Sequence, residues 1–368
     1  MNSRFVAVPV SALKGRGAAT RLAHRFSREA RDAFDDGWET LAEARAEGAP
    51  APATEITWED PRSAITYSDS PDLYFDRSLN PYRGCEHGCI YCYARPTHSY
   101  LNLSPGLDFE TRLVAKRGIA QVLRRELASP RYRPGSLALG SATDAYQPIE
   151  RELRLTRSVI EVLHEASHPF TLVTKSSGVE RDIDLIAPMA RQGLASVFVT
   201  LVTLDAGLTR RLEPRAAAPH RRLRTIRTLA EAGIPVGVSL APQIPFLTED
   251  MEQVLEAARE AGATSAFYQV LRLPWEVSPL FREWLALHYP QRAQRVMARL
   301  QDMRGGKDYD ADYATRMKGG GPWADLLAQR FRRASTRLGF NRERWAENTA
   351  LFRRPALDGQ QSLFDAPA

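Results

Sequence analysis

The sequence predicts an α/β protein built on a parallel sheet, and two patterns carry that expectation. From residue 60 onward, short apolar runs rich in β-branched residues alternate with longer stretches of helical period. That alternation is the signature of repeated βαβ units. Two of the helical stretches also stop at a glycine, Ala232-Gly233 and Ala261-Gly262, as helix ends commonly do. A chain of 368 residues is long for one ordinary domain and a usual size for an α/β barrel. The pattern alone fits either a barrel-type sheet or a doubly wound open one.

Taken in order, residues 1–58 read as an N-terminal extension, partly disordered. Within it Lys14-Gly-Arg-Gly17 is a flexible basic turn, a weak helix is possible near 20–34, and Glu47-Gly-Ala-Pro-Ala-Pro52 is a linker. A core follows over 59–275. Its first strand leads into Cys85, and the next are expected at Ser136–Ser141, Phe170–Thr174, Ser196–Thr203, Pro235–Ala241 and Ser265–Leu271. Helices between them are expected at Lys116–Leu127, Glu150–Glu165, Arg181–Arg191, Pro219–Ala232 and Glu249–Ala261. A basic helical region, 276–354, holds amphipathic stretches at Pro279–Met303 and Trp323–Leu338 around a charged, glycine-flanked loop, Arg304–Gly321. That loop could cover a barrel mouth or contact nucleic acid. Residues 355–368 form a flexible tail.

Composition narrows the class. Hydrophobic residues are 43% and charged residues 26% of the chain, ordinary for a globular protein. No apolar run reaches the ~18 residues that a membrane helix needs. The start, Met1-Asn-Ser-Arg-Phe-Val-Ala-Val-Pro-Val10, is too short and too soon polar for a signal peptide, so a reducing cytoplasm is expected. The net charge is +6, and Arg304 to Arg354 alone carries 12 Lys/Arg against 6 Asp/Glu. Such a segment either meets a phosphate backbone or is a solvated helical face.

The chemistry concentrates in Asn80-Pro-Tyr-Arg-Gly-Cys85-Glu-His-Gly-Cys89-Ile-Tyr-Cys92-Tyr-Ala. It contains all three cysteines of the chain, spaced C-x3-C-x2-C. A four-iron cluster normally takes four thiolates, so three would leave one iron open to another ligand. The alternative is a structural zinc with His87 or His98 as fourth ligand. An odd number of cysteines argues against a disulfide framework.

This spacing, with Tyr91 just before the last cysteine, resembles the radical S-adenosylmethionine (SAM) enzymes. The flanks narrow the resemblance to the spore photoproduct lyase-like branch: the N-P-Y-x-G-C entry, Thr143-Asp144-Ala-Tyr-Gln-Pro148, Val173-Thr-Lys175 and Glu213-Pro-Arg215. The likeness runs over roughly residues 60 to 275. It implies a partial (β/α)6 barrel of the TIM type, with a helical C-terminal extension. It also implies a [4Fe–4S] cluster on Cys85, Cys89 and Cys92, with SAM chelating the open iron by its amino and carboxylate groups. Reductive cleavage of SAM then gives a 5′-deoxyadenosyl radical, with the electron drawn from an external donor of flavodoxin or ferredoxin type.

Active sites of such folds lie at the C-terminal strand ends. There Ser141, Thr143 and Asp144 offer acceptors to an ammonium, and in the resembled family this loop meets the SAM amino group. Lys175 is a point charge for a carboxylate, and the family's matching lysine contacts that of SAM. Thr200 and Thr203 could bond a ribose or simply favour a strand, and Tyr91 could pack on adenine or on its own loop. Glu213-Pro-Arg215 reads as a structural ion pair. His87 and His98 could donate hydrogen bonds just outside the cluster ligands, whereas His164, His168, His220 and His288 read as cap or surface residues. Spore photoproduct lyases hold a further cysteine after the second strand as hydrogen-atom donor. Here that loop is Gly140-Ser141-Ala142, so another donor is needed, with Tyr93, Tyr146 and Tyr268 conceivable.

Near the end, Gln360-Gln-Ser-Leu363-Phe364 resembles the peptide by which bacterial repair proteins dock on the DNA sliding clamp. Leu363 and Phe364 would fill an apolar pocket while Gln360 hydrogen-bonds beside it. Together these features point to a radical enzyme acting on DNA. RNA, protein or a small metabolite are the alternative substrates, and a zinc-stabilised, clamp-docked DNA-binding module is the non-enzymatic rival.

Overall fold

The computed structural model describes residues 10–27, 53–343 and 348–357. Six strands form its central sheet: β1 (Arg77–Leu79), β2 (Leu137–Leu139), β3 (Phe170–Thr174), β4 (Ala195–Thr200), β5 (Val236–Gln243) and β6 (Ser265–Val270). They lie side by side in chain order, every neighbouring pair parallel. Only the short edge strand Thr66–Tyr67 runs antiparallel, against β1. The order never reverses, so the sheet has no switch point of the doubly wound kind. Among the described residues β6 does not pair with β1, so the barrel is partial.

Leu139, Leu172, Val197, Val199, Val238 and Leu240 are buried at the sheet's centre. Strands covered on both faces read as continuous apolar runs, and this is why they were legible. The covering helices are α1 (Ile119–Ala128), α2 (Leu155–Glu165), α3 (Ile183–Arg191), α4 (Pro219–Glu231) and α5 (Met251–Glu260). Each turns an apolar stripe inward, as α2 does with Val159, Ile160, Val162 and Leu163. The single helix expected at 150–165 is two pieces. Glu150–Leu153 is one turn, and Arg154 follows in the left-handed region at φ 52° before α2 begins. The break lets the buried Glu150 accept from the Tyr82 hydroxyl at 2.5 Å and from the Thr156 amide at 3.0 Å.

Past β6 come α6 (Val277–His288), α7 (Pro290–Asp302) and α8 (Gly321–Leu338). Pro290 splits α6 from α7, since the residue before a proline disfavours helix. α8 lies on α5, joined by the ion pairs Arg330–Glu252 and Arg337–Glu256. Part of the basic C-terminal charge is therefore spent inside the molecule. The buried Arg304 likewise donates to the carbonyls of Leu271 and Thr315.

The N-terminal segment behaves differently from the expectation. Lys14–Gly17 is no free turn. The Gly17 and Ala18 amides donate to the buried Glu110 carboxylate at 2.9 and 2.8 Å, and residues 20–27 form no helix. A second small sheet, Glu55–Glu59 parallel to Arg112–Lys116 with Tyr82–Arg83 antiparallel, flanks the cysteine loop on the same side. No described helix is long and apolar enough to cross a membrane.

Candidate active site

The cysteine loop leaves β1 and folds back over the C-terminal strand ends. Its backbone turns on short bonds, Gly88 N–H to Cys85 O and Cys92 N–H to Cys89 O. Gly88 sits at φ 65°, and a Cβ there would stand 2.7 Å from the Glu110 carboxylate. Gly17 presses so close that its Cβ would overlap the Gly88 carbonyl. Both positions require glycine.

Distant segments hold this loop from every side. Arg95, fully buried, donates to the carbonyls of Cys89, Gly88, Pro105 and Gly106, and pairs with Glu110 at 2.5 Å. On the opposite flank the Ile90 amide donates to Leu212 O and the Arg215 amide to His87 O. The Tyr91 hydroxyl donates to Glu213, which pairs with the buried Arg222. Arg215 pairs with Glu86 at 3.0 Å. Glu213 and Arg215 are therefore not an ion pair with each other; each grips the cysteine loop separately.

The three thiols line a cavity of about 200 Å³ at the strand ends. Ser141, Thr143 and Asp144 face it from the end of β2, Lys175 from β3 and Thr200 from β4. Tyr91 and Tyr93 line it beside the cysteines, with Gln269 and Arg272 at the end of β6. Among the described residues, no three His, Cys, Asp or Glu side chains gather as ligands of a single metal ion. The two histidines proposed for zinc have other partners. His98 Nε2 bonds the Arg112 carbonyl at 2.9 Å, and His87 Nδ1 lies 3.2 Å from Asp144. Three thiols lining one cavity, with both histidines engaged by other partners, suit a cluster held by three cysteines.

Asp144 is the electrostatic centre. Its Oδ1 accepts from the Thr174 hydroxyl at 2.7 Å and the Tyr146 amide at 2.9 Å; its Oδ2 accepts from the Lys175 amide at 2.7 Å and faces His87. Burial works against its charge, but His87 and Lys175 outweigh burial and hold the carboxyl well below its usual range. For His87 burial likewise opposes protonation, and the charge and hydrogen bond of Asp144 push its pKa up to about 9. Burial also disfavours the charge on Lys175, yet Cys89, Glu213 and Asp144 raise its pKa overall. Its Nζ stands 5.8 Å from the centre of the Tyr91 ring. Burial pushes the Cys89 thiol well up and the Cys92 thiol up, so the thiolate form needs the positive charge of a bound metal.

The remaining candidates separate. Thr143 Oγ1 donates to Gly84 O at 2.7 Å, and Ser141 Oγ accepts from Asn80 at 3.1 Å. Thr203 is not at the cavity: its hydroxyl donates to Asp250 Oδ2 at 2.9 Å and accepts from the Asp205 amide at 3.1 Å. Of the tyrosines, Tyr93 lines the cavity. Tyr146 is buried on Asp182 at 2.8 Å, and Tyr268 packs on Phe331. Gln360, Leu363 and Phe364 lie outside the described residues. The sequence reading passed over Asn80, whose Oδ1 accepts from the amides of Ala142 and Thr143 and pins the β2 loop. It also passed over Arg95, Glu110 and Arg272. Asn80 had a signal, its place at the head of the N-P-Y entry.

Comparison with known proteins agrees with this geometry. Residues 79–258 match the Radical SAM superfamily model. An uncharacterized protein of Mycobacterium tuberculosis (strain H37Rv) is 39% identical over 226 residues, 61% of this chain and 66% of that protein. Another, from Methanocaldococcus jannaschii, is 27% identical over 213 residues, 58% of this chain and 76% of that one. The match thus spans 66% of the mycobacterial relative's length. Among solved structures, a spore photoproduct lyase mutant with bound AdoMet and dinucleoside spore photoproduct aligns at TM-score 0.51 and 14% identity. The alignment covers 77% of this chain and 80% of that one, and shows a shared fold.

Proposed function

We propose, on the premise that residues 79–258 are a radical SAM domain, that this chain abstracts a hydrogen atom from a nucleic-acid substrate, with DNA foremost. Members of that superfamily use a [4Fe–4S] cluster and SAM. The residues fit both groups: three thiols line one cavity together with Lys175 and the β2 loop Ser141–Asp144. That juxtaposition carries the reading. Cys85, Cys89 and Cys92 would hold the cluster. When bound, cluster and SAM together supply the one-electron cleavage that yields a hydrogen-abstracting radical.

The chain's own contribution is positioning and exclusion. Lys175 supplies a fixed positive charge for the SAM carboxylate. Asp144 holds the Lys175 backbone against the β2 loop, so the rim Ser141–Thr143 is set for the amino group. Tyr91 stays anchored on Glu213, with its ring free to line the SAM side of the cavity. Leu73, Phe75, Phe109 and Leu271 line the cavity with apolar surface, which keeps water and side-chain quenchers from the reacting atom. The loop after β2 has no cysteine, and of Tyr93, Tyr146 and Tyr268 it is Tyr93, lining the cavity, that would stand in as hydrogen donor. The nucleic-acid reading draws on the basic C-terminal region and the clamp-like Gln360-Gln-Ser-Leu363-Phe364. A flavodoxin- or ferredoxin-type protein would supply the electron.

Anaerobic reconstitution with iron and sulfide, followed by SAM and dithionite, tests this. 5′-Deoxyadenosine should form and vanish in Cys89→Ala. Stoichiometric zinc with no iron uptake would overturn the reading. The DNA assignment requires salt-dependent DNA binding and sliding-clamp binding lost in Phe364→Ala; absence of both returns the choice to RNA, protein or metabolite.

A further inference from the structure

The cavity carries a guanidinium to which, among the described residues, no carboxylate is hydrogen-bonded; Asp72 lies in its field but is bonded to Arg316. Arg272 follows β6 and lines the same space as Cys89, Lys175 and Tyr93. Its Nη1 donates to the Met317 thioether at 3.4 Å, a weak acceptor, and its Nε is buried with no partner. Among the described residues it makes no salt bridge. Its neighbour Arg316 differs, matched by Asp72 through two bonds of 2.5 Å. The other cavity cation, Lys175, already lies in the field of Asp144 and Glu213. The donors that the protein leaves open on a half-buried guanidinium are free for water or an anion, and Arg272 lines the cavity where such an anion would enter.

We propose that Arg272 receives an oxyanion of the substrate, and that this oxyanion is a phosphate ester; the choice of phosphate rests on the nucleic-acid reading above. The planar fork of arginine matches phosphate oxygens two at a time. Tyr93 keeps the fork in place, its ring centre 5.1 Å from the guanidinium carbon. Tyr74 and Phe75 line the same cavity and offer ring faces on which a base can stack. Lys175 follows β3 and Arg272 follows β6, three strands further round the sheet. The SAM carboxylate and the substrate phosphate thus have separate cations, and Arg272 sets where along a nucleotide the reacting carbon falls.

Calorimetry on the full chain with SAM, before and after cluster reconstitution, tests this with two probes. Thymidylyl-thymidine carries only an internucleotide phosphodiester, and thymidine 5′-monophosphate only a terminal phosphate. Arg272→Gln should weaken the bound probe roughly 10- to 100-fold, the range for losing a charged hydrogen bond, and leave SAM affinity and iron content unchanged. Arg272→Lys, which keeps the charge without the fork, should recover part of the loss. Preference for the dinucleotide identifies a phosphodiester in a strand; preference for the monophosphate identifies a free nucleotide. The proposal falls if neither probe binds, if Arg272→Gln binds them as wild type does, or if it loses SAM to the same extent, since the anion would then be SAM's own carboxylate. Arginine-dependent probe binding by a chain that takes up no iron would sink the radical reading and leave this site standing.

Discussion

The Arg95–Glu110 pair under the cysteine loop is where a single substitution should do most damage. Both side chains are fully buried, 2.5 Å apart. Removing one partner of such a pair costs about 3–5 kcal/mol, because the other charge is left in a low-dielectric interior. The two partners are not equivalent. Arg95→Met strands the carboxylate and also takes the donor from four carbonyls, two of them inside the cysteine loop. It belongs at the upper end, about 5 kcal/mol. Glu110→Gln keeps one of the two acceptor oxygens that the Gly17 and Ala18 amides use and leaves Arg95 its carbonyls. It belongs nearer 3 kcal/mol. The double variant Arg95→Met/Glu110→Leu should lose less than the sum, because no orphan charge remains. Urea unfolding followed by tryptophan fluorescence gives the stabilities, and iron per chain after reconstitution gives the state of the loop. An Arg95→Met protein within 1 kcal/mol of wild type that still takes up a full complement of iron would refute the argument.

Two further outcomes follow from contacts away from the thiols. Asp72 and Arg316 bridge the segment before β1 and the loop after α7, and Met317 on that loop bonds the Val270 amide and lines the cavity. Asp72→Asn should free the loop, seen as faster tryptic cleavage after Lys307 or Lys318; an unchanged digestion rate would show that the ion pair does not hold it. His168 is buried, bonded to the Tyr132 hydroxyl at 2.7 Å, and burial lowers its pKa to about 4 from 6.5. The unfolded chain therefore binds the proton first. This contribution to stability is complete above the unfolded value and lost as pH falls toward 4, about 3 kcal/mol in all. His168→Phe should flatten the stability–pH slope between pH 7 and 4.5, and an unaltered slope would count against it.

How far the sequence was legible follows physical lines. Strands buried on both faces are continuous apolar runs, and β3 was placed to the residue, Phe170–Thr174. Their order needed more than periodicity, because a doubly wound sheet has the same local pattern. Where polar contacts decided, local pattern failed. Thr203 reads like Thr200 on the strand, but β4 ends at Thr200 and the chain turns away to Asp250. The break at Arg154 serves Glu150, which serves Tyr82, 68 residues earlier. Lys14–Gly17 looks like a loose turn because the feature that orders it, the Glu110 carboxylate, is 93 residues away. Arg95 was invisible for a similar reason: four of its five partners are carbonyls, which any sequence supplies.

The thiols sit in one short loop, yet almost nothing that shapes the loop is local to it. Its partners come from Gly17, from Glu110, from the Leu212–Arg215 turn and from Asp144. None of these residues carries a thiol, so the loop's conformation is fixed by protein–protein contacts and does not wait for the metal. A small metal-stapled domain has the opposite arrangement, in which binding free energy is folding free energy. Here the large barrel core supplies the fold, and the loop inherits its shape from that core. Removing the metal should then cost the site its chemistry while leaving the sheet intact, and breaking Arg95 should cost both. The contrast between those two losses separates a loop built to receive a cluster from one that a metal builds.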